Sequence, residues 1–190
     1  MDRLWTPWRY SYVTNSLPGR RAGVPEELDH WPSDRDTHCV FCNMIAAVDY
    51  AIAQGMAAET AEKAAHIVLR GPLTFTCLNA FPYASGHVLI LPYVHQASLA
   101  ALPPATAQEM MATAQRMETA LRNVYRPDGI NMGVNLGQAA GAGVAEHLHM
   151  HALPRWFGDT NFMTVVAETR VLPELLDTAW SRLRQELGST

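Results

Sequence analysis

The sequence predicts an α+β fold, with an antiparallel sheet carried by short strands, one long helix set among them and another at the end. Three observations predict it. Short runs rich in β-branched and aromatic residues recur after His66, namely HIVLR (66–70), LTFTCLN (73–79) and HVLILP (87–92). Pro72, Pro82, Gly86 and Pro92 punctuate them, the pattern of a meander. An amphipathic stripe follows, in which Met110, Ala114, Met117, Leu121 and Val124 recur at steps of four and three.

The elements follow in chain order. Residues 1–38 carry three tryptophans and scattered arginines, prolines and glycines without periodicity. They read as an irregular N-terminal arm pinned by Trp5 and Trp8. Residues 43–65 are rich in alanine and read as one or two helices broken near Gly55. Thr106 and Glu109 have the spacing of a capping box that would open the long helix, and Pro127 and Gly129 would end it. INMGVNL (130–136), HLHMHALP (147–154) and FMTVV (162–166) read as further strands, with a glycine-rich turn from Gly137 to Gly143 before the second. A last helix begins near Pro173, with Leu172, Leu176, Ala179, Leu183 and Leu187 on its buried side. The reading divides the chain into the arm, 1–38, and one domain, 39–190, with its core about 66–167 and its terminal helix at 172–187. Strands with helices between and after them form one α+β layer structure.

Composition narrows the function. The chain has 190 residues, nearly half of them apolar, which suits one compact domain. The formal charge of −4 does not support a basic face for a polynucleotide. A small phosphorylated ligand needs only a few local donors. No apolar run approaches a membrane span, and the start of the chain lacks the apolar core and cleavage site of a secretion signal. Three cysteines do not make a disulfide framework, so the expectation is a cytoplasmic protein.

The sharpest feature is His147-Leu148-His149-Met150-His151. Side chains alternate between faces of a strand, so the three imidazoles share one face and Leu148, Met150 and Ala152 the other. Imidazole can act as nucleophile, acid, base or metal ligand near neutral pH. Gly137, Gly141 and Gly143 let backbone N–H groups approach an anion closely. Together these point to phosphoryl or nucleotidyl transfer. Spacing alone leaves a second reading open, in which histidines at i and i+2 hold a catalytic zinc. Glu146 points away from the histidine face, Cys77 reads as a packing residue, and His87 reads as a core histidine bonded under the triad.

At these residues the sequence resembles the histidine-triad family, whose signature is His-φ-His-φ-His-φ-φ with φ apolar. HLHMHAL fits it throughout, Pro154-Arg155 also matches, and Leu78–Pro82 and Gly86–Ile90 are similar to the family's nucleoside-binding strands. Trp-Thr-Pro-Trp-Arg near the start, the stretch from Asn135 to Trp156, and the Gly-Asp-Thr-Asn-Phe that follows resemble a bacterial branch that includes diadenosine tetraphosphate phosphorylases. The resemblance implies a half-barrel-like sheet of five antiparallel strands and a homodimer. It implies a small nucleotide substrate, with His149 attacking the α-phosphorus to give a nucleotidyl-histidine. His151 would then contact the phosphate or leaving oxygen, and His147 would support the strand or bind metal. Asn79 would bind ribose, and Asn135, Gly141 and Gly143 would lie along the phosphates. In one departure, the family's polar residue shortly before the first histidine is replaced here by Gly143 and Val144. A nucleotide-binding regulator with weak catalysis is therefore a third reading.

Cys39-Val40-Phe41-Cys42 is a C-x-x-C pair, a spacing used for both metal and redox sites. A zinc site needs two more ligands. The resemblance supplies His95 and His147, which implies a structural Cys39, Cys42, His95 and His147 set, with His38 and His66 as spare candidates.

Overall fold

A computed structural model describes residues 22–159 and 174–188. Within them lie four α-helices, α1 (Val40–Ala53), α2 (Ala58–Ala64), α3 (Pro104–Tyr125) and α4 (Leu176–Gly188). Five strands, β1 (Ile67–Arg70), β2 (Thr74–Leu78), β3 (Val88–Pro92), β4 (Gly129–Val134) and β5 (Met150–Arg155), form one sheet in the order β1-β2-β3-β5-β4. Every neighbouring pair is antiparallel. The expected α+β class and five-stranded sheet are what is found. FMTVV, Trp5, Trp8, Leu172 and Pro173 lie outside the described residues, and the last helix is described from Leu176.

The sheet separates two cores, which follows from alternation along its strands. On one face, α3 and α4 pack Met110, Ala114, Met117, Leu121, Trp180 and Leu183 against Val88, Ile90, Leu148 and Ala152. On the other, α1 and α2 pack Phe41, Ala47, Val48 and Ala61 against Ile67, Phe75, Cys77, Leu89 and Leu91. Cys77 is fully buried there, and burial pushes its thiol up to about 12. Residues 22–38 contain two short 3-10 turns, and their Val24, Leu28 and Trp31 are buried in this second core.

Two local readings are corrected. The long helix is not opened by a capping box, because it begins at Pro104, with Pro103 as its N-cap and no side-chain cap bond. Thr106 is buried inside the first turn. Glu109 turns to the sheet instead, where Oε1 accepts from the Leu73 amide (2.9 Å) and the Thr74 hydroxyl (2.8 Å). A proline at N1 starts the helix without a cap, and the free carboxylate is captured by a nearby turn with unpaired donors. The second correction concerns the histidine segment. Paired strand β5 starts only at Met150, and the Leu148 amide leaves the ladder to bond Gln96 O at 2.7 Å.

Gly23 positions α1. Its φ is +84°, and an added Cβ would overlap the Val40 carbonyl. Gly23→Ala is expected to cost about 2–4 kcal/mol, lowering the melting temperature by ~10 °C. Thermal denaturation followed by circular dichroism checks this.

Candidate active site and metal centre

Alternation delivers the three imidazoles to the α1 face of the sheet, as expected. Leu148, Met150 and Ala152 meet the α3–α4 core. The His147 and His149 rings meet Phe41 of α1 instead, at centroid distances of 5.5 and 5.3 Å. The His149 and His151 rings are 5.0 Å apart.

Each ring has a defined proton. His149 Nδ1 donates to the carbonyl of His147 at 2.8 Å, which leaves the lone pair on Nε2. Nε2 has no partner among the described residues. Burial lowers the His149 pKa below the usual histidine value, against the raising effect of that carbonyl bond, so the ring is neutral near pH 7. The Tyr83 amide donates to His87 Nδ1 (3.1 Å), with the Asn79 amide group 3.3 Å from the same nitrogen. The His87 proton must then sit on Nε2, which donates to His151 Nδ1 at 2.9 Å. That bond leaves the proton of a neutral His151 on Nε2, which makes that nitrogen a hydrogen-bond donor. His87, 1 % exposed, is thus the core histidine beneath the triad that the sequence suggested.

The remaining nucleotide-site candidates fall on two loops. Asn79 follows β2, and its Oδ1 accepts from the Phe81 amide at 3.0 Å. Asn135 follows β4, and its Nδ2 would lie 3.9 Å from a Cβ added to Gly141. Gly137 and Gly141 have φ of +83° and +92°, which only glycine adopts freely. The Gly141 amide is bonded to Gln138 O, so this residue offers room for approach and not a donor. The amides of exposed Gly143 and of Val144 donate to nothing among the described residues.

A second constellation adjoins the first. The ligand atoms of Cys39, Cys42, His95 and His147 lie within 4.8 Å of one another. Cys39 Sγ is 3.4 Å from His147 Nδ1, Cys42 Sγ is 3.5 Å from the same nitrogen, and Cys42 Sγ is 3.4 Å from His95 Nδ1. A tetrahedral ion with ordinary sulfur and nitrogen bond lengths would set such pairs about 3.5 Å apart. His147 Nε2 donates to Pro92 O at 3.0 Å, which turns the Nδ1 lone pair toward the sulfurs. Burial lowers the His147 pKa, and the neighbouring His95 and His149 add to this, so its ring is neutral and ready to ligate. Burial and the adjacent Cys39 raise the Cys42 thiol to about 12, a penalty that a bound cation would relieve. The donor set fits a metal ion. His38 and His66 lie apart from it, beside Asp36 and Asp177 respectively.

Asn43 builds the cysteine turn and carried no signal in the sequence. It is fully buried; its Oδ1 accepts from the Thr37 amide and hydroxyl, and its Nδ2 donates to Ala22 O and Asp36 Oδ1. Four bonds from three distant loop residues cannot be read from spacing. Phe41 was also missed, although its place inside the C-x-x-C pair next to the histidine face was a usable clue.

Comparison with known proteins agrees with this geometry. The chain is 33% identical over 180 residues to an AP-4-A phosphorylase of Mycobacterium tuberculosis, spanning 93% of this chain and 79% of that one. A Zn-bound histidine triad family protein from Mycobacterium smegmatis superposes with a TM-score of 0.58 and 27% identity, over 80% of this chain and 94% of that one. Diadenosine triphosphate hydrolase of Plasmodium falciparum shares the fold, with a TM-score of 0.55 and 14% identity over 66% of this chain and 78% of that one. Residues 60–158 match the HIT domain, and the chain belongs to that family.

Proposed function

We propose that this protein is a nucleotidyl transferase that cleaves a dinucleoside polyphosphate, diadenosine tetraphosphate being the favoured substrate, through a nucleotidyl-His149 intermediate. The chain is a nucleotide-processing enzyme of the HIT family. The observation that carries the finer reading is the His149 Nδ1–carbonyl bond, which fixes the tautomer with Nε2 as the nucleophile.

The Nε2 lone pair attacks the α-phosphorus, an N–P bond forms, and the bond to the bridging oxygen breaks. His151 Nε2–H donates a hydrogen bond to the leaving oxygen, and the polyphosphate departs as its anion. Inorganic phosphate, or water, then attacks the same phosphorus; the N–P bond breaks, the electron pair returns to His149, and any proton released by the acceptor passes to solvent. Amides at Gly143 and Val144 face the developing charge in place of a side-chain hydroxyl. Asn79 takes the ribose, and Asn135 and Gly141 border the phosphates. The M. tuberculosis relative is named a phosphorylase, which supports phosphate as the acceptor.

Zinc in the Cys39, Cys42, His95 and His147 set would act as a structural ion. A catalytic metal on the histidine strand is less well supported, because among the described residues the only such set includes neither His149 nor His151. We further infer a cytoplasmic homodimer. Among the described residues β4 pairs with β5 alone, and its Asn131, Met132 and Gly133 are exposed, which supports extension of the sheet by a second copy.

Incubation with diadenosine tetraphosphate, with and without phosphate, tests the reaction. ADP plus ATP should appear only with phosphate; absence of cleavage under both conditions would remove the substrate. His87→Phe, which deletes the donor to His151, is expected to lower turnover about tenfold to a hundredfold in steady-state kinetics.

A further inference from the structure

Among the described residues the His149 ring makes one hydrogen bond, and a single bond fixes the tautomer of a ring without fixing its tilt. The ring of Phe41 makes a second contact. Phe41 is 5% exposed, and its ring lies 5.3 Å from the His149 ring at 54° and 5.5 Å from the His147 ring at 77°. His149 thus contacts the rings of both Phe41 and His151, the latter 5.0 Å away. Phe41 cannot retreat, because it sits in the first turn of α1 between Cys39 and Cys42, both within 3.5 Å of His147 Nδ1. Asn43 ties the same turn to residues 22, 36 and 37. The carbonyl of His147 is the group that orients His149. The same turn therefore contacts the His149 ring through Phe41 and, through its two cysteines, the ring of His147, whose carbonyl orients His149.

We infer that Phe41 is a positioning residue that fixes the tilt of the His149 ring, so that the Cys39–Cys42 turn sets the aim of the nucleophile as well as offering ligands to a metal. This rests on the reading of His149 as nucleophile. The test compares the wild-type protein with Phe41→Leu, Phe41→Ala and Phe41→Tyr. Single-turnover formation of adenylyl-protein from diadenosine tetraphosphate is measured beside AMP affinity, zinc content and the His149 Nδ1–H resonance in histidine-labelled protein.

Phe41→Leu is expected to slow adduct formation about tenfold to a hundredfold, the cost of a misaimed reacting group. AMP affinity and zinc content should stay at wild-type values, the Nδ1–H resonance should broaden, and Phe41→Tyr should restore the rate. If Phe41→Ala does not fold, Phe41→Leu carries the comparison, since it preserves most of the packing. An unchanged rate and resonance in folded Phe41→Leu would overturn the inference. So would AMP affinity falling in step with the rate, because Phe41 would then be touching the nucleotide. Should wild-type protein turn over without any adduct, the nucleophile reading fails, and the resonance still decides whether Phe41 orients the ring.

Discussion

His149→Ala should abolish turnover, by on the order of 10⁴-fold or more, while AMP still binds. The size follows from the role, because the variant loses the only group placed to form the covalent bond. The neighbouring rings cannot substitute. His147 has Nε2 committed to Pro92 O and Nδ1 facing the sulfurs, and His151 Nδ1 is bonded to His87. Binding should survive, since the proposed ribose and phosphate contacts come from the Asn79 loop and the glycine-rich turn. Steady-state kinetics and calorimetric AMP titration check both halves. Loss of AMP binding together with turnover would make His149 a binding or folding residue instead.

Cys42→Ser should lower the melting temperature by ~10 °C, a loss of at least about 3 kcal/mol, and remove bound zinc. Cys39 and Cys42 join α1 to His95, just after β3, and to His147, just before β5, so the cluster staples the helix to two neighbouring strands. Without an ion, two thiols and two imidazoles remain packed together with weak bonds between them. Metal analysis and thermal denaturation read the two effects. Equal stability and no zinc in either protein would leave the cluster as packing alone. Zinc retained in His149→Ala but lost in Cys42→Ser would separate a structural ion from a catalytic one.

The legible parts of the fold and site are those set by local periodicity. Strand alternation alone put the three imidazoles on one side and Leu148, Met150 and Ala152 on the other. The stripe of Met110, Ala114, Met117 and Leu121 marked the buried face of α3. Gly55 marked the break between α1 and α2, which lies between Ala53 and Ala58. Long-range capture was not legible. Glu109 has capping-box spacing, yet it bonds residues 35 and 36 positions away, because the turn before β2 has donors to satisfy. The start of β5 was placed at His147 because hydrophobic alternation runs straight through it. The Leu148–Gln96 bond that delays the ladder depends on a loop from another part of the chain. The C-x-x-C pair announced half of a ligand set, and only the resemblance to known sequences supplied His95 and His147.

The most direct measurement is mass spectrometry of the protein quenched during turnover of diadenosine tetraphosphate under conditions that preserve phosphorus–nitrogen bonds. An adenylyl group on the peptide that contains His149, absent from His149→Ala and discharged by added phosphate as ADP, is the expected result. Continued turnover with no adduct, or an adduct carried by any other side chain, would contradict it.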